Sequence, residues 1–230
     1  MAHYCVSDIH GEYEKYKKML DLISFSDSDI LYVLGDVVDR GPDGIKVLQD
    51  MMRRQNVVPL VGNHEYMALA YLLSLSKNES GISAMIERDR LKMNWEINGG
   101  MPTIDAYNKL TYYEQRELID YLREFITYEE VTVGGKAYVL VHAGLGHFSP
   151  DRPLCEYRID ELIQCIPDYD RMYFKDRYLI TGHTPTQLIP GNEKRGRIYM
   201  ANHHIAIDCG AAFGGKLGVL CLETGEEFYV

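Results

Sequence analysis

The chain has 230 residues, of which 46% are hydrophobic, and carries a formal net charge of −10. That length and apolar content bury one sizeable core and would cramp two, so a single domain over residues 1–230 is expected. The negative charge excludes general affinity for nucleic acid or an anionic membrane, since both require a basic surface that releases counterions.

In chain order, short apolar runs alternate with stretches of helical spacing. Tyr4-Cys5-Val6 reads as a strand, and over residues 12–23 Tyr13, Tyr16, Leu20 and Ile23 recur at the helical interval with charges between them. Ile30-Leu31-Tyr32-Val33-Leu34 is a second strand. Ile45, Leu48 and Met52 mark an amphipathic helix after Pro42-Asp43-Gly44, Val57-Val58-Pro59-Leu60-Val61 is a third strand, and residues 66–75 form an apolar helix. At about ten residues that helix is roughly half of what a bilayer requires, and it reads as core. The βαβαβ order implies parallel strands joined by right-handed crossovers. Residues 76–130 lose strand character and become charged and helical, with helices expected over 82–93 and 114–125, which reads as a helical insertion beside the site. From Val131 onward Gly134-Gly135, Asn202-His203, Gly214-Gly215 and Thr224-Gly225 separate short runs that read as antiparallel hairpins of a second sheet, with residues 191–196 as a hairpin tip. The five cysteines are scattered without a CxxC pair, and no basic or apolar leader precedes the first strand. Reduced thiols and a cytoplasmic location are expected.

Five apolar runs each end within one or two residues of a side chain able to bind metal. The three runs named above, with Ala137-Tyr138-Val139-Leu140-Val141 and Tyr178-Leu179-Ile180, feed Asp8 and His10, Asp36, Asn63 and His64, His142, and His183. In α/β sheets ligands gather beyond the carboxyl ends of the strands, so these groups are expected along one rim. On an extended segment Asp8 and His10 project to the same side and chelate one ion. Asp36 has two carboxylate oxygens and is the natural bridge of two metal ions about 3.5–4 Å apart, with Asn63, His142 and His183 completing the ligands of the second ion. Oxygen and imidazole donors without thiolate favour Mn, with Fe, Zn or Mg as alternatives. Gly35, Gly62, Gly144 and Gly182 lie beside these ligands, where the chain must turn sharply.

Arg40, close to the bridge, offers a planar fork for two phosphate oxygens; its bland alternative is an ion pair with Asp39 or Asp43. His64, adjacent to Asn63 on what reads as an extended segment, is expected to point away from the ions and to give a proton to the leaving oxygen, with Asp39 holding its other nitrogen. A structural histidine or a further metal ligand are the alternatives. The reaction expected is in-line attack on phosphorus by a hydroxide that bridges the ions. Several residues have bland readings: His203-His204 as turn or surface groups, Tyr112-Tyr113 and Met51-Met52 as packing, Cys5 and Cys209 as inert thiols, Lys194-Arg195-Gly196-Arg197 as a solvated loop. Asp208-Cys209-Gly210 reads as a brace for the site.

The motifs Asp8-Ile9-His10-Gly11, Gly35-Asp36-Val37-Val38-Asp39-Arg40-Gly41, Gly62-Asn63-His64-Glu65, His142-Ala143-Gly144 and Gly182-His183-Thr184 together resemble the phosphoprotein phosphatase branch of the calcineurin-like metallophosphoesterases. The resemblance implies a four-layer α/β/β/α sandwich with a dinuclear centre on its rim. It implies Asp8, His10 and Asp36 on one ion and Asp36, Asn63, His142 and His183 on the other, with Asp39 pairing with His64 and Arg40 binding phosphate. The small size and the segment 95–103 look like the compact bacterial and phage members. Such members commonly carry a second phosphate-binding arginine where Leu162-Ile163-Gln164-Cys165 stands here, which leaves Arg158, Arg171 and Arg177 as candidates. The leading expectation is a phosphatase acting on phosphoserine or phosphothreonine in proteins. The alternative is a dinucleoside polyphosphate hydrolase taking a small phosphorylated substrate, and a third reading is a metal-stabilised module that binds phosphorylated partners without turnover.

Overall fold

The computed structural model describes residues 1–76 and 81–230. Among these residues two five-stranded sheets face each other. The first contains β1 (His3–Val6), β2 (Ile30–Val33), β3 (Val57–Pro59), β9 (Gly218–Cys221) and β10 (Glu227–Tyr229), in the order β10-β9-β1-β2-β3. The second contains β4 (Tyr128–Val133), β5 (Lys136–Val141), β6 (Arg177–Thr181), β7 (Tyr199–Ala201) and β8 (His204–Ala206), in the order β4-β5-β6-β8-β7. Both sheets are mixed. β1 pairs in parallel with β2 and β2 with β3, in registers that set His3 beside Ile30 and Leu31 beside Val57. β5, β6 and β8 are likewise parallel neighbours. Pro59 cannot donate to a ladder, and β3 lies at a sheet edge, where that costs little.

The strands read as continuous apolar runs because both faces are buried. Cys5, Tyr32, Leu34, Tyr138, Leu140, Ile180 and Ile205 form the core between the sheets. Their alternating neighbours Tyr4, Val6, Leu31, Val33, Val139, Val141 and Leu179 point outward into the helix-side core. A one-residue slip of any strand would exchange these sets, so the register is strongly specified.

Helices cover the first sheet. α1 (Tyr13–Leu22) buries Tyr16, Met19 and Leu20, one stripe at the helical interval, and α2 (Gly44–Met52) buries Ile45, Leu48 and Met51. α3 (Asn63–Ser76), α4 (Ile82–Ile97), α5 (Met101–Tyr107) and α6 (Tyr112–Arg123) follow. α6 starts two residues before the expected helix because Thr111 and Glu114 form a capping box: the Thr111 hydroxyl accepts from the Glu114 amide, and the Glu114 carboxylate accepts from the Thr111 amide at 2.8 Å. The short α7 (Ile159–Ile163) lies after β5.

The structure changes several expectations. β4 begins at Tyr128, inside the stretch assigned to the helical insertion, and residues 77–80 of that stretch lie outside the described residues. The second sheet is not a set of hairpins. Gly134-Gly135 joins β4 to β5 and Asn202-His203 joins β7 to β8, but three of its strands are parallel. The hairpin closed by Thr224-Gly225 pairs β9 with β10 and adds to the first sheet through β1. Gly214-Gly215 leads into β9 after a 3-10 turn rather than joining paired strands, and residues 191–196 form turns and bends before β7. Tyr112 and Tyr113 are exposed, stacked edge to face on each other instead of packing into the core. Local turn chemistry marks where a chain reverses but not which sheet the returning strand joins, because that choice belongs to tertiary burial.

Candidate metal centre

Six parallel strands from the two sheets run their carboxyl ends to one rim. Beyond β1 stand Ser7 and Asp8, beyond β2 Gly35 and Asp36, beyond β3 Gly62 and Asn63, beyond β5 His142, beyond β6 Gly182 and His183, and beyond β8 Asp208. The backbone turns there through the left-handed region at Asp8 (φ 53°), His10 (φ 45°), Asp36 (φ 53°), Asp39 (φ 71°), Arg40 (φ 66°) and His183 (φ 65°). Non-glycine residues adopt that region rarely and at a cost, and a cluster of them marks a functional constraint. The extended chelate expected for Asp8-Ile9-His10 is therefore a tight turn. Two glycines have no alternative: a Cβ on Gly62 would collide with the Asp36 carboxylate, and one on Gly182 with Ser7 and Asp8.

Asp36 sits at the centre. Its Oδ2 lies 3.6 Å from His10 Nε2 and its Oδ1 lies 3.4 Å from His142 Nε2. Donor atoms of His10, Asp36 and His64 lie within 4.8 Å of one another, and so do those of Asp36, His142 and His183. Asp8 Oδ1 is 3.8 Å from His10 Nε2 and has no hydrogen-bond partner although it is buried, while its Oδ2 accepts from the His183 amide at 2.8 Å and from the Ser7 hydroxyl. Asn63 Oδ1 lies 3.1 Å from His142 Nε2. The Nδ1 atoms of His10 and His142 meet the carbonyls of Val38 (2.9 Å) and Leu34 (2.6 Å), which turns each Nε2 toward the cluster.

Burying several carboxylates together costs several kcal/mol per ion unless opposite charge compensates. Burial and the neighbouring Asp36 push the Asp8 carboxyl up to about 6. For Asp36 burial works the other way from the outcome: the imidazoles of His142 and His64 outweigh it and hold the carboxyl well below its ordinary range. Burial lowers His10 to about 3, and burial with the neighbouring His142 lowers His183 to about 4, so both are neutral donors. At His142 burial is outweighed by Asp36, which raises the imidazole to about 10. An orphaned Asp8 oxygen, neutral imidazoles and a central carboxylate between two donor groups are what divalent cations require, and a cation beside Asp36 would replace the His142 proton.

The structure brings together every residue expected at the site, with changed surroundings for some. His64 does not point away. Asn63 and His64 open α3 instead of extending β3, and His64 Nε2 faces the cluster 3.9 Å from Asp36 Oδ2 with no hydrogen-bond partner. Its ring meets that of His10 edge to face at 4.8 Å, and its Nδ1 donates to Asp39 Oδ2 at 2.7 Å. Arg40 pairs with neither Asp39 nor Asp43: its Nη1 lies 2.7 Å from His10 Nε2 and its guanidinium sits 5.0 Å from the Phe213 ring centre. Asp43 binds Lys46 instead. The candidate second arginines are held elsewhere. Arg177 starts β6, at the end away from His183, and pairs with Glu130; Arg158 is exposed on Asp160; Arg171 lies over Phe148.

Three supporting residues, Glu65, Trp95 and Thr103, had no assigned role, and a fourth, Asp208, was expected as a brace. Glu65 is buried and accepts from the amides of Asp36 (2.8 Å), Val37 (2.8 Å), Val38 (3.2 Å) and Gly62 (3.0 Å), thereby fixing the turn that aims Asp36. Burial and Asp36 raise its carboxyl to about 7. Trp95 on α4 donates its indole N–H to Asp39 Oδ2 (2.7 Å), and Thr103 on α5 donates its hydroxyl to Asp39 Oδ1 (2.7 Å). Asp208 is buried, its carboxyl pushed well up by burial and by Asp8, and accepts from the Gly210 amide. Glu65 stands beside His64 in a quoted motif, which was a usable signal. Nothing in the local pattern around Trp95 or Thr103 points to Asp39, more than 50 positions away. His204, expected at a turn surface, is fully buried: its Nε2 meets the Thr181 hydroxyl at 2.8 Å and its ring stacks on Tyr169 at 5.1 Å. Cys5 and Cys209 are buried free thiols, that of Cys209 pushed up to about 12 by burial. Among the described residues no helix is long and apolar enough to cross a membrane.

Comparison with known proteins bears on the family and the fold. The calcineurin-like phosphoesterase family profile matches residues 2–199. Curated relatives include two named bis(5'-nucleosyl)-tetraphosphatase, symmetrical: one from Wigglesworthia glossinidia brevipalpis, 34% identical over 116 residues (48% of this chain, 43% of that protein), and one from Acidovorax sp. (strain JS42), 34% identical over 147 residues (63% and 44%). The chain spans less than half the length of these relatives. Among solved structures, one described as a candidate diadenosine tetraphosphatase superposes with a TM-score of 0.66 at 19% identity, covering 100% of this chain and 92% of the other. A serine/threonine phosphatase from Saccharomyces cerevisiae gives 0.63 at 14% identity, covering 98% and 73%. At those identities the structural likeness speaks for the fold alone. This chain belongs to the calcineurin-like phosphoesterase family and has its metallophosphoesterase fold.

Proposed function

We propose that the protein is a hydrolase of dinucleoside polyphosphates that uses two divalent ions, with Mn the first choice. The observation that carries the reaction is Asp36 set between two groups of imidazole donors. Asp8, His10 and Asp36 would hold one ion, and Asp36, Asn63, His142 and His183 the other; His64 also reaches the first group. Bound ions supply Lewis acidity toward the phosphoryl oxygens and generate hydroxide from water at neutral pH. Arg40, exposed beside the cluster, offers its guanidinium to the same oxygens. Burial lowers the His64 imidazole, but Asp36 and the Asp39 hydrogen bond outweigh it and raise it. A proton on its unpartnered Nε2 is thereby available to the departing oxygen.

The substrate follows from relatives at 34% identity that are named as tetraphosphatases. The phosphoprotein substrate placed first on motifs alone gives way to this reading. In symmetrical cleavage of diadenosine tetraphosphate, water oxygen bonds to one central phosphorus, the central P–O bond breaks, and two ADP leave. The decisive experiment compares the purified protein with added Mn on that nucleotide and on a phosphoserine peptide. Chromatography should show two ADP per substrate at a much higher kcat/KM than phosphate release from the peptide; faster release from the peptide, or no ADP, overturns the proposal. The two substrates should also respond differently to His64→Asn. A nucleotide leaving group ionises near 6 and needs little protonation, whereas a serine alkoxide needs it fully, so the peptide reaction should suffer more.

A further inference from the structure

A groove of about 510 Å³ lies between α3 and α4 and is also lined by Gln164, just beyond α7. We infer that this groove receives the adenosine of one nucleotide end of the substrate while the adjoining phosphates lie at Asp36; the inference rests on the dinucleoside polyphosphate reading. Its position is the first argument. On α3 the lining residues Tyr66, Met67, Ala70 and Ser74 follow Asn63 at intervals of three, four, seven and eleven, so they share one helical face with that metal donor. The groove therefore begins at Tyr66, one helical turn beyond Asn63, and extends along α3 to Ser74, roughly 16 Å from Asn63 at the rise of an α-helix. On α4 the lining residue Asn94 precedes Trp95, whose indole binds Asp39. Gln164 follows Leu162 by two positions, and the Leu162 carbonyl accepts from the Ala143 amide next to His142. All three walls are thus tied to the constellation.

Its chemistry is the second argument. The volume lies in the range of small-molecule sites and exceeds what a phosphate needs. Tyr66, Met67 and Leu91 offer aromatic and apolar surface for a purine face, and Ala70 leaves the floor open. Asn94 and Gln164 each present an amide with donors and an acceptor for a base edge or ribose hydroxyls. At the far end Arg88 Nη2 donates to the Ser74 carbonyl at 3.1 Å, while its Nε–H is buried and has no acceptor among the described residues. A phosphoserine peptide has no group that needs such a set.

Calorimetric titration of the Mn-loaded protein with ADP and, separately, with inorganic phosphate tests the groove without relying on turnover. Ala70→Trp fills the floor and should weaken ADP at least tenfold while phosphate affinity changes less than twofold; Gln164→Ala should weaken ADP about threefold. Equal weakening of both ligands, or unchanged ADP affinity in both variants, overturns the assignment. The substrate reading fails on a different observation, the absence of ADP from diadenosine tetraphosphate treated with the parent protein.

Discussion

The rim and the flanks that back it are built on different rules. At the rim, Asp8, His10, Asp36 and His183 hang from left-handed backbone turns directly beyond strands whose register is enforced by burial on both faces. In the flanks, groups such as Trp95, Thr103 and His204 reach inward across the core from α4, α5 and β8. The rim carries the candidate reacting groups on short, stiff tethers, and the flanks bear on how those groups are aimed and how stable the frame is. Substitutions at the rim should therefore abolish chemistry, and those in the flanks should alter orientation or stability with the ions retained.

The largest expected effect tests the rim. Asp36→Asn removes the charge shared by both donor groups; a loss of several kcal/mol of transition-state stabilisation corresponds to about three orders of magnitude in kcat. Metal analysis should show a matching loss of bound ion, and retention of two ions with near-parent activity would break the comparison at its base.

Next in size is a pH effect in the flank of the second sheet. Burial lowers His204 from an ordinary value of 6.5 to about 4, so below pH 6.5 the unfolded chain binds a proton that the folded protein does not. The sign is a loss of stability as pH falls from about 6.5 to about 4, of roughly 3 kcal/mol from this residue at 1.36 kcal/mol per pH unit. Urea unfolding across that range should show a shallower decline for His204→Gln, which cannot titrate; parallel declines would remove His204 from the account.

Glu65 lies on the border between the two regions, and its variant sharpens the distinction. Glu65→Gln presents an amide NH₂ to two of the four backbone N–H groups the carboxylate accepts from, which should cost about 2 kcal/mol. At this chain length that corresponds to a fall in Tm of roughly 4–8 °C, readable by calorimetry.

The smallest effect isolates aim from chemistry. Trp95→Phe keeps most of the buried ring and deletes the N–H donated to Asp39, so kcat should drop about tenfold, as for loss of an orienting partner, with ion content unchanged. A shift in the acid dissociation seen in the pH–rate profile would tie that loss to His64, because Asp39 holds its Nδ1.

Much of the rim was legible in the chain itself. Strands buried on two faces must be uninterrupted apolar runs, and a ligand rim must put Asp, His and Asn immediately after them, so both fold and donors leave a local record in the order of residues. The collision that a Cβ would cause at Gly62 and Gly182 leaves the same kind of record. The flanks left little. Trp95 and Thr103 converge on Asp39 from positions 56 and 64 residues away; the segment 95–103 carries a family resemblance, but nothing in its spacing points to Asp39.

What the sequence by itself determined was therefore the set of donors, their order along the parallel strands and the class of chemistry, because each follows from short-range patterning. Tertiary structure alone decided that β9 and β10 complete the first sheet, that His64 turns into the cluster from the first turn of α3, and that a groove lies along that helix from Tyr66 to Ser74. Those outcomes depend on which surfaces bury each other across long sequence separations, and burial of that kind is a property of the assembled core that no single segment carries.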